Sequence, residues 1–196
     1  MKNELESAAL DQVFRAARTY VKYDSAELTD QSIEALYDLF KWGPTCVNSQ
    51  PGRYVFVRSA EAKKRLLPAV FPGNAPKVES AAATVIAAYD SMFHEYLSEL
   101  WTAYDATPMY RDNQKLREET AFRNGSLGAA YLILAARALG LDCGPMSGFD
   151  NAKVDAEFFP DGRFKSNFLI NIGRGAPEGF YPRGKRLAFS EAARIL

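Results

Sequence analysis

The longest helical pattern in the chain runs over residues 112–139, and it changes character halfway. Its first half is charged, with Asp112, Lys115, Arg117, Glu118, Glu119 and Arg123. From Leu127 it is apolar on nearly every side, until Gly140 ends it. A helix with no solvated face needs cover all round. In a chain of 196 residues that cover comes either from a second subunit or from the chain's own core. The periodicity allows both.

The remaining elements are shorter. Leu10, Val13, Phe14 and Ala17 recur at helical spacing and predict an amphipathic helix over 7–18. Thr29 is a candidate N-cap, with Asp30 in the first turn and an apolar stripe of Ile33, Leu36, Tyr37 and Phe40. Gly43 and Pro44 stop that helix, and a polar loop over 45–52 leads to a strand over 53–58, RYVFVR. Ser59 caps a further helix that Pro68 and Pro72 end. Residues 82–89 are apolar throughout and predict a strand buried on both faces; 168–172, FLINI, predict another. Between 90 and 109 aromatics lie among acidic residues, which predicts a lid or helical excursion with His94 as a surface or lid residue. Residues 141–146 lead to a turn at Ser147 and Gly148, followed by a short helix near 151–158. The tail, 178–196, holds Arg183, Lys185 and Arg186. Few strands separated by helices make an α+β fold, and 1–196 reads as one domain.

Composition removes several classes of function. Hydrophobic residues at 47% and charged residues at 24% describe a folded chain. Twenty-four basic side chains balance twenty-four acidic ones, so no global field draws nucleic acid or an anionic membrane. The longest apolar stretches, 81–89 and 127–136, fall short of the roughly 20 residues a bilayer span requires. The amino-terminal stretch lacks a signal-peptide apolar run, and Cys46 and Cys143 give no disulfide framework, so a reducing cytoplasm is expected. Two cysteines and one histidine leave a Cys/His zinc site without ligands, and no spaced acidic cluster replaces it; no metal is expected. A single histidine and no G-x-S-x-G elbow argue against a hydrolase triad. Gly140, Gly144, Gly173 and Gly175 do not make a dinucleotide fingerprint, and there is no Walker A lysine.

Three polar clusters lie at the ends of regular elements: Arg18-Thr19, the run from Trp42 to Pro51, and the run from Gly144 to Phe149. Each alone is a cap or a turn. In this order, and together with Asn74-x-x-Lys77 and Arg186, they resemble the nitroreductase family of FMN-dependent oxidoreductases over nearly the whole chain. The runs 41–45, 118–124, 144–150 and 169–173 are similar in particular to its subgroup of malonic semialdehyde reductases, or 3-hydroxypropanoate dehydrogenases, of pyrimidine degradation.

The resemblance implies an α+β fold with a central mixed sheet flanked by helices. It also implies an intertwined homodimer with FMN at the interface and the tail contributing to the dimer. It implies that Arg18 and Arg186 bind the FMN phosphate with Thr19 as a hydroxyl donor, as a planar guanidinium fork suits a phosphate. Asn74 would hold the pyrimidine edge, and Lys77 would sit near N1 and O2, where a cation stabilises the reduced ring. Pro145, Met146, Ser147 and Gly148 would lay backbone beside the ring, while Pro44, Thr45, Cys46 and Asn48 would arrive from the other subunit. Cys46, where the family commonly has serine, reads as a packing residue. The family often has a further basic residue at the position of Val21, and a pair of basic residues in the tail. Lys22 is the candidate substitute for the first, and Arg183 or Lys185 the companion of Arg186.

The implied reaction is ping-pong hydride transfer from NADH or NADPH through flavin N5 to a small carbonyl or nitro acceptor, with no catalytic side chain. Tyr104 or Tyr110 is a candidate proton donor, with water and the flavin itself as alternatives. Arg111 and Arg123 are candidates for a substrate carboxylate; an ion pair between Arg123 and Glu119 competes with that role, as does simple solvation of Arg111. The rival readings are a broad nitro/quinone reductase and a non-catalytic flavin-binding protein.

Overall fold

Alternation along two strands separates the chain into layers. In the computed structural model, which describes residues 3–24 and 27–196, the apolar run predicted as a strand is β3, Ala83–Asp90. Met1 and Lys2 of the charged amino-terminal stretch lie outside the described residues. Val85 and Ala87 of β3 point to one face and Ile86 and Ala88 to the other, as the two-residue period requires. The neighbouring β5, Phe164–Gly175, sends Ile170 and Ile172 to the first face and Leu169 to the second.

Helices cover both faces. On the first lie α2, Asp30–Phe40, and α7, Gln114–Ala138, through Leu36, Phe40, Ala129, Leu132 and Ala136. On the second lie α3, Ala60–Leu66, α4, Ala75–Ser80, and α8, Asn151–Phe158, through Leu66, Val78 and Val154. The expected caps form: Thr29 Oγ1 accepts from Ser32 N, and Ser59 Oγ accepts from Ala62 N, each at 3.1 Å.

The sheet runs β1 (Tyr23–Asp24), β5, β3, β2 (Gly52–Val57), with β4 (Asp142–Met146) also paired to β5. All of these strand pairs are antiparallel; the parallel element that makes the sheet mixed is the bridge between Thr19 and Cys143. The fold is α+β, as expected.

Several local expectations are corrected. The first helix is α1, Ser7–Leu10, running on as a π-helical turn over Asp11–Arg15, short of residue 18. β4 is a strand although it contains Pro145; that residue pairs with Ile170. The segment is a helical excursion, one of the two forms expected: a 3-10 turn over Phe93–Tyr96, then α5, Leu97–Leu100, and α6, Thr107–Arg111. Phe93, Leu97, Ala106 and Tyr110 form a satellite core there with Ala121 of α7. His94 is therefore buried, not a surface group, because the turn that carries it packs inward with Phe93. The apolar half of α7 is not covered all round within one chain: Leu127 and Tyr131 face outward. The tail from residue 181 is exposed throughout, with a last short helix, α9, Phe189–Ala192.

Candidate active site

Two of the sequence clusters meet through β4. Tyr20 N donates to Cys143 O at 3.2 Å, which fixes Arg18 and Thr19 beside the start of that strand. The other end of β4 opens into the turn at Ser147 and Gly148, where Phe71 N donates to Gly148 O at 3.1 Å. Gly148 leaves room for the Asn74 amide: a Cβ on it would collide with Asn74 Nδ2 and displace that side chain. That amide donates to Gly148 O at 3.1 Å and accepts from Lys77 Nζ at 2.7 Å. Met146 is the last residue of β4, its sulfur 3.9 Å from Asn171 Nδ2.

Lys77 also lines a cavity of about 440 Å³ between the amino-terminal segment, the end of α7 and the tail. Arg18, Thr19, Arg137, Arg183 and Arg186 line it as well, and among the described residues no acidic one does. The tail reaches this wall by several contacts. Tyr20 pairs with Phe180, the Arg18 guanidinium stacks 4.5 Å over the Phe180 ring, and Arg18 Nη2 donates to Tyr181 O. Arg183 Nη2 donates to the carbonyls of Arg15 at 2.7 Å and Ala17 at 3.1 Å, which makes it a strut between tail and helix end. Val21 lines the cavity without a charge; Lys22 and Lys185 are not among its lining residues. Of the tail cations, Arg183 rather than Lys185 accompanies Arg186.

Pro44, Thr45, Cys46 and Asn48 belong to a second locus. Val47, Asn48 and Gln50 all have positive φ, of 45°, 48° and 41°. Left-handed backbone at a β-branched residue is strained and persists only where surroundings fix it. Those surroundings are Gln50 N on Thr45 Oγ1 at 3.2 Å, Cys46 N on Asn124 Oδ1 at 2.8 Å, and Asn48 Nδ2 on Leu100 O at 2.9 Å. Cys46 Sγ is 3.5 Å from the buried Tyr110 hydroxyl, whose pKa burial raises. No hydrogen bond among the described residues joins this loop to the cationic cavity.

Both candidates for a substrate carboxylate lie apart from the cavity. Arg111 makes a two-pronged pair with Asp112, at 2.8 and 3.1 Å. Arg123 does not pair with Glu119, which instead lies 4.0 Å from Lys115; Arg123 lines an open groove on α7 with Phe122 and Leu127.

Arg137 was not among the residues the sequence singled out. An arginine three positions before a helix-ending glycine is an ordinary last-turn cation, and only the fold places it on the cavity wall.

The comparisons agree with this architecture. The family model "Nitroreductase family" matches residues 14–174. A protein of Rhodopseudomonas palustris (strain TIE-1), provisionally named NADH dehydrogenase/NAD(P)H nitroreductase, is 57% identical over 196 residues, 100% of both chains. One of the same name from Xanthomonas oryzae pv. oryzae (strain PXO99A) is 54% identical over 195 residues, again 100% of both. Among solved structures, a provisionally named nitroreductase from Exiguobacterium sibiricum in complex with FMN superposes with a TM-score of 0.86 at 20% identity, covering 100% of both chains, a likeness of fold. A family model over most of the chain and full-length relatives more than half identical to it establish that this protein belongs to the nitroreductase family.

Proposed function

We propose that the protein is an FMN-dependent NAD(P)H oxidoreductase that acts as a homodimer on a small aldehyde, converting malonic semialdehyde to 3-hydroxypropanoate. The observation that carries the flavin reading is the acid-free cavity of Arg18, Lys77, Arg137, Arg183 and Arg186, joined through Lys77 to the Asn74–Gly148 cradle. Five cations on one wall repel one another, and an anion entering the cavity relieves that repulsion. A phosphate at one end and a flat polar heterocycle at the other match that layout, and the family and the FMN-bound structural neighbour point the same way.

The residues divide the work by chemistry. Arg18 and Arg186 supply charge-assisted bonds to the phosphate, and Thr19 a hydroxyl. Asn74 meets the pyrimidine edge. Lys77 stabilises negative charge on the reduced ring. Pro145 and Met146 at the end of β4, with Ser147 and Gly148 of the turn after it, would supply backbone to hold the ring. FMN, when bound, supplies the hydride chemistry, taking two electrons from NADH or NADPH and passing them to the acceptor.

Pro44, Thr45, Cys46 and Asn48 complete the pocket from the second copy in this reading. Their rigid loop supports it, since strained backbone marks functional sites. The exposed apolar side of α7 and the exposed tail support a partner chain. Arg123 is the remaining candidate for the substrate carboxylate, because Asp112 holds Arg111.

A second reading, a broad nitro/quinone reductase, is favoured by the names of the full-length relatives. Two measurements separate the possibilities. The purified protein is expected to be yellow and to bleach with NAD(P)H; a colourless protein that added FMN does not restore removes the flavin reading. Steady-state kcat/KM is expected to be higher for malonic semialdehyde than for nitroaromatics or quinones, and the reverse order establishes the second reading. A yellow protein that NAD(P)H does not bleach is a flavin binder without this activity.

A further inference from the structure

We infer that Arg137, at the far end of α7, is a phosphate ligand of the flavin site, an inference that rests on the FMN reading above. Its guanidinium is half-buried and anchored: Nη1 donates to Val13 O at 3.1 Å, while its own carbonyl accepts from Gln12 Nε2 at 2.8 Å. Its Nε is buried and has no hydrogen-bond partner among the described residues. Nη2 likewise makes no hydrogen bond among the described residues. Nε and Nη2 together are the side-on fork of an arginine, the pair of parallel donors that matches two oxygens of a phosphate. A buried donor left unbonded is destabilising, so an acceptor is missing from the protein alone.

The cavity beside Arg137 offers a route for that acceptor. Arg137 lines the cationic cavity, and among the described residues no acidic side chain lines it. The other cations there are partly committed: Arg183 to two carbonyls of the amino-terminal helix end, Arg18 to Tyr181 O, and Lys77 to Asn74. Val21 adds no charge to the wall. Arg137 is also the cation carried by the longest helix, so fixing its fork on a ligand costs little conformational entropy.

The test separates the phosphate from the ring. Flavin-stripped protein is titrated with FMN and with riboflavin, which lacks the phosphate, following flavin fluorescence. Wild type is expected to prefer FMN. In Arg137→Ala the Kd for FMN is expected to rise at least tenfold and that for riboflavin less than twofold, so the preference shrinks. Arg137→Lys, which keeps the charge and loses the fork, is expected to fall between, and serves if the alanine variant does not fold. An unchanged FMN-to-riboflavin ratio in the folded variant overturns the role of Arg137 and leaves the FMN reading intact. Wild type that shows no preference for FMN overturns that reading, and this inference with it.

Discussion

Lys77 Nζ donates to Asn74 Oδ1 at 2.7 Å, and this bond ties the cationic cavity to the backbone turn at Gly148. Lys77 faces both ends, as a wall of the cavity and as the donor that orients the Asn74 amide. In the proposed site, charge on the phosphate side and geometry on the ring side therefore share one side chain.

Coupling between these residues follows. Lys77→Met removes the cation proposed to meet the flavin and the donor that orients the Asn74 amide, so FMN affinity is expected to fall roughly tenfold or more. Asn74→Ala alone is expected to do similar damage. The double variant is expected to be much less than additive, because the second substitution removes a contact already broken. Kd values from fluorescence titration of the three variants check this. Additive losses would show that the two residues act independently.

His94 gives the stability a dependence on mild acid. Burial, and then the nearby Arg117 cation, push its imidazole below the usual range, and its Nδ1 has no hydrogen-bond partner among the described residues. The folded state thus holds His94 neutral, while the unfolded chain protonates it near pH 6.5. Stability from this group is fully present above that pH and is lost as pH falls through the lower folded-state value. Urea midpoints are expected to drop between pH 7.5 and 5.5, and to drop less in His94→Gln. The gap between the two is bounded by about 1.4 kcal/mol per pH unit. Parallel pH profiles would show that His94 titrates normally.

His94 also marks where the sequence stopped being readable. The caps at Thr29 and Ser59 and the two-faced strand β3 were legible, because each is fixed by residues within a turn or by strict alternation. The Asn74, Lys77 and Gly148 grouping was legible only through family resemblance, since these residues are far apart in the chain and meet through long-range packing. β4 was not legible as a strand: Gly144 and Pro145 disfavour one, and only the register with β5 makes it so. The burial of His94 and the position of Arg137 likewise depend on how distant elements pack. The left-handed Val47 runs against its own β-branched preference and is held by Asn124 and Leu100, contacts that no local pattern announces.

Asp90 is expected to be a stability residue of the excursion. Its carboxylate is fully buried and accepts from Arg53 Nη2 at 2.8 Å, from Arg163 Nε and Nη2 at 3.0 Å each, and from Met92 N at 2.8 Å. Removing one member of a buried pair costs about 3–5 kcal/mol, and the partly exposed arginines reduce this to roughly 2–3 kcal/mol for Asp90→Asn. Urea denaturation with an unchanged m-value reads it directly. A loss under about 0.5 kcal/mol, the size of an ordinary surface substitution, would mean that solvent already screens the pairs.

The outward side of α7 decides the assembly. Phe122, Leu127 and Tyr131 are 52%, 45% and 38% exposed in one chain, and Leu187 and Phe189 of the tail are 67% and 64% exposed. Such a set of apolar side chains is poorly suited to water and well suited to a second copy. In the proposed dimer Leu127 lies in a seam that excludes water, so Leu127→Asp places an unpaired charge there and is strongly unfavourable. Sedimentation velocity is expected to show wild type as a dimer and the variant as a monomer, with FMN affinity falling in step because the 44–48 loop of the partner is lost. A monomeric variant that binds FMN as well as wild type would place the whole flavin site within one chain. A monomeric wild type with full activity would remove the dimer from the mechanism.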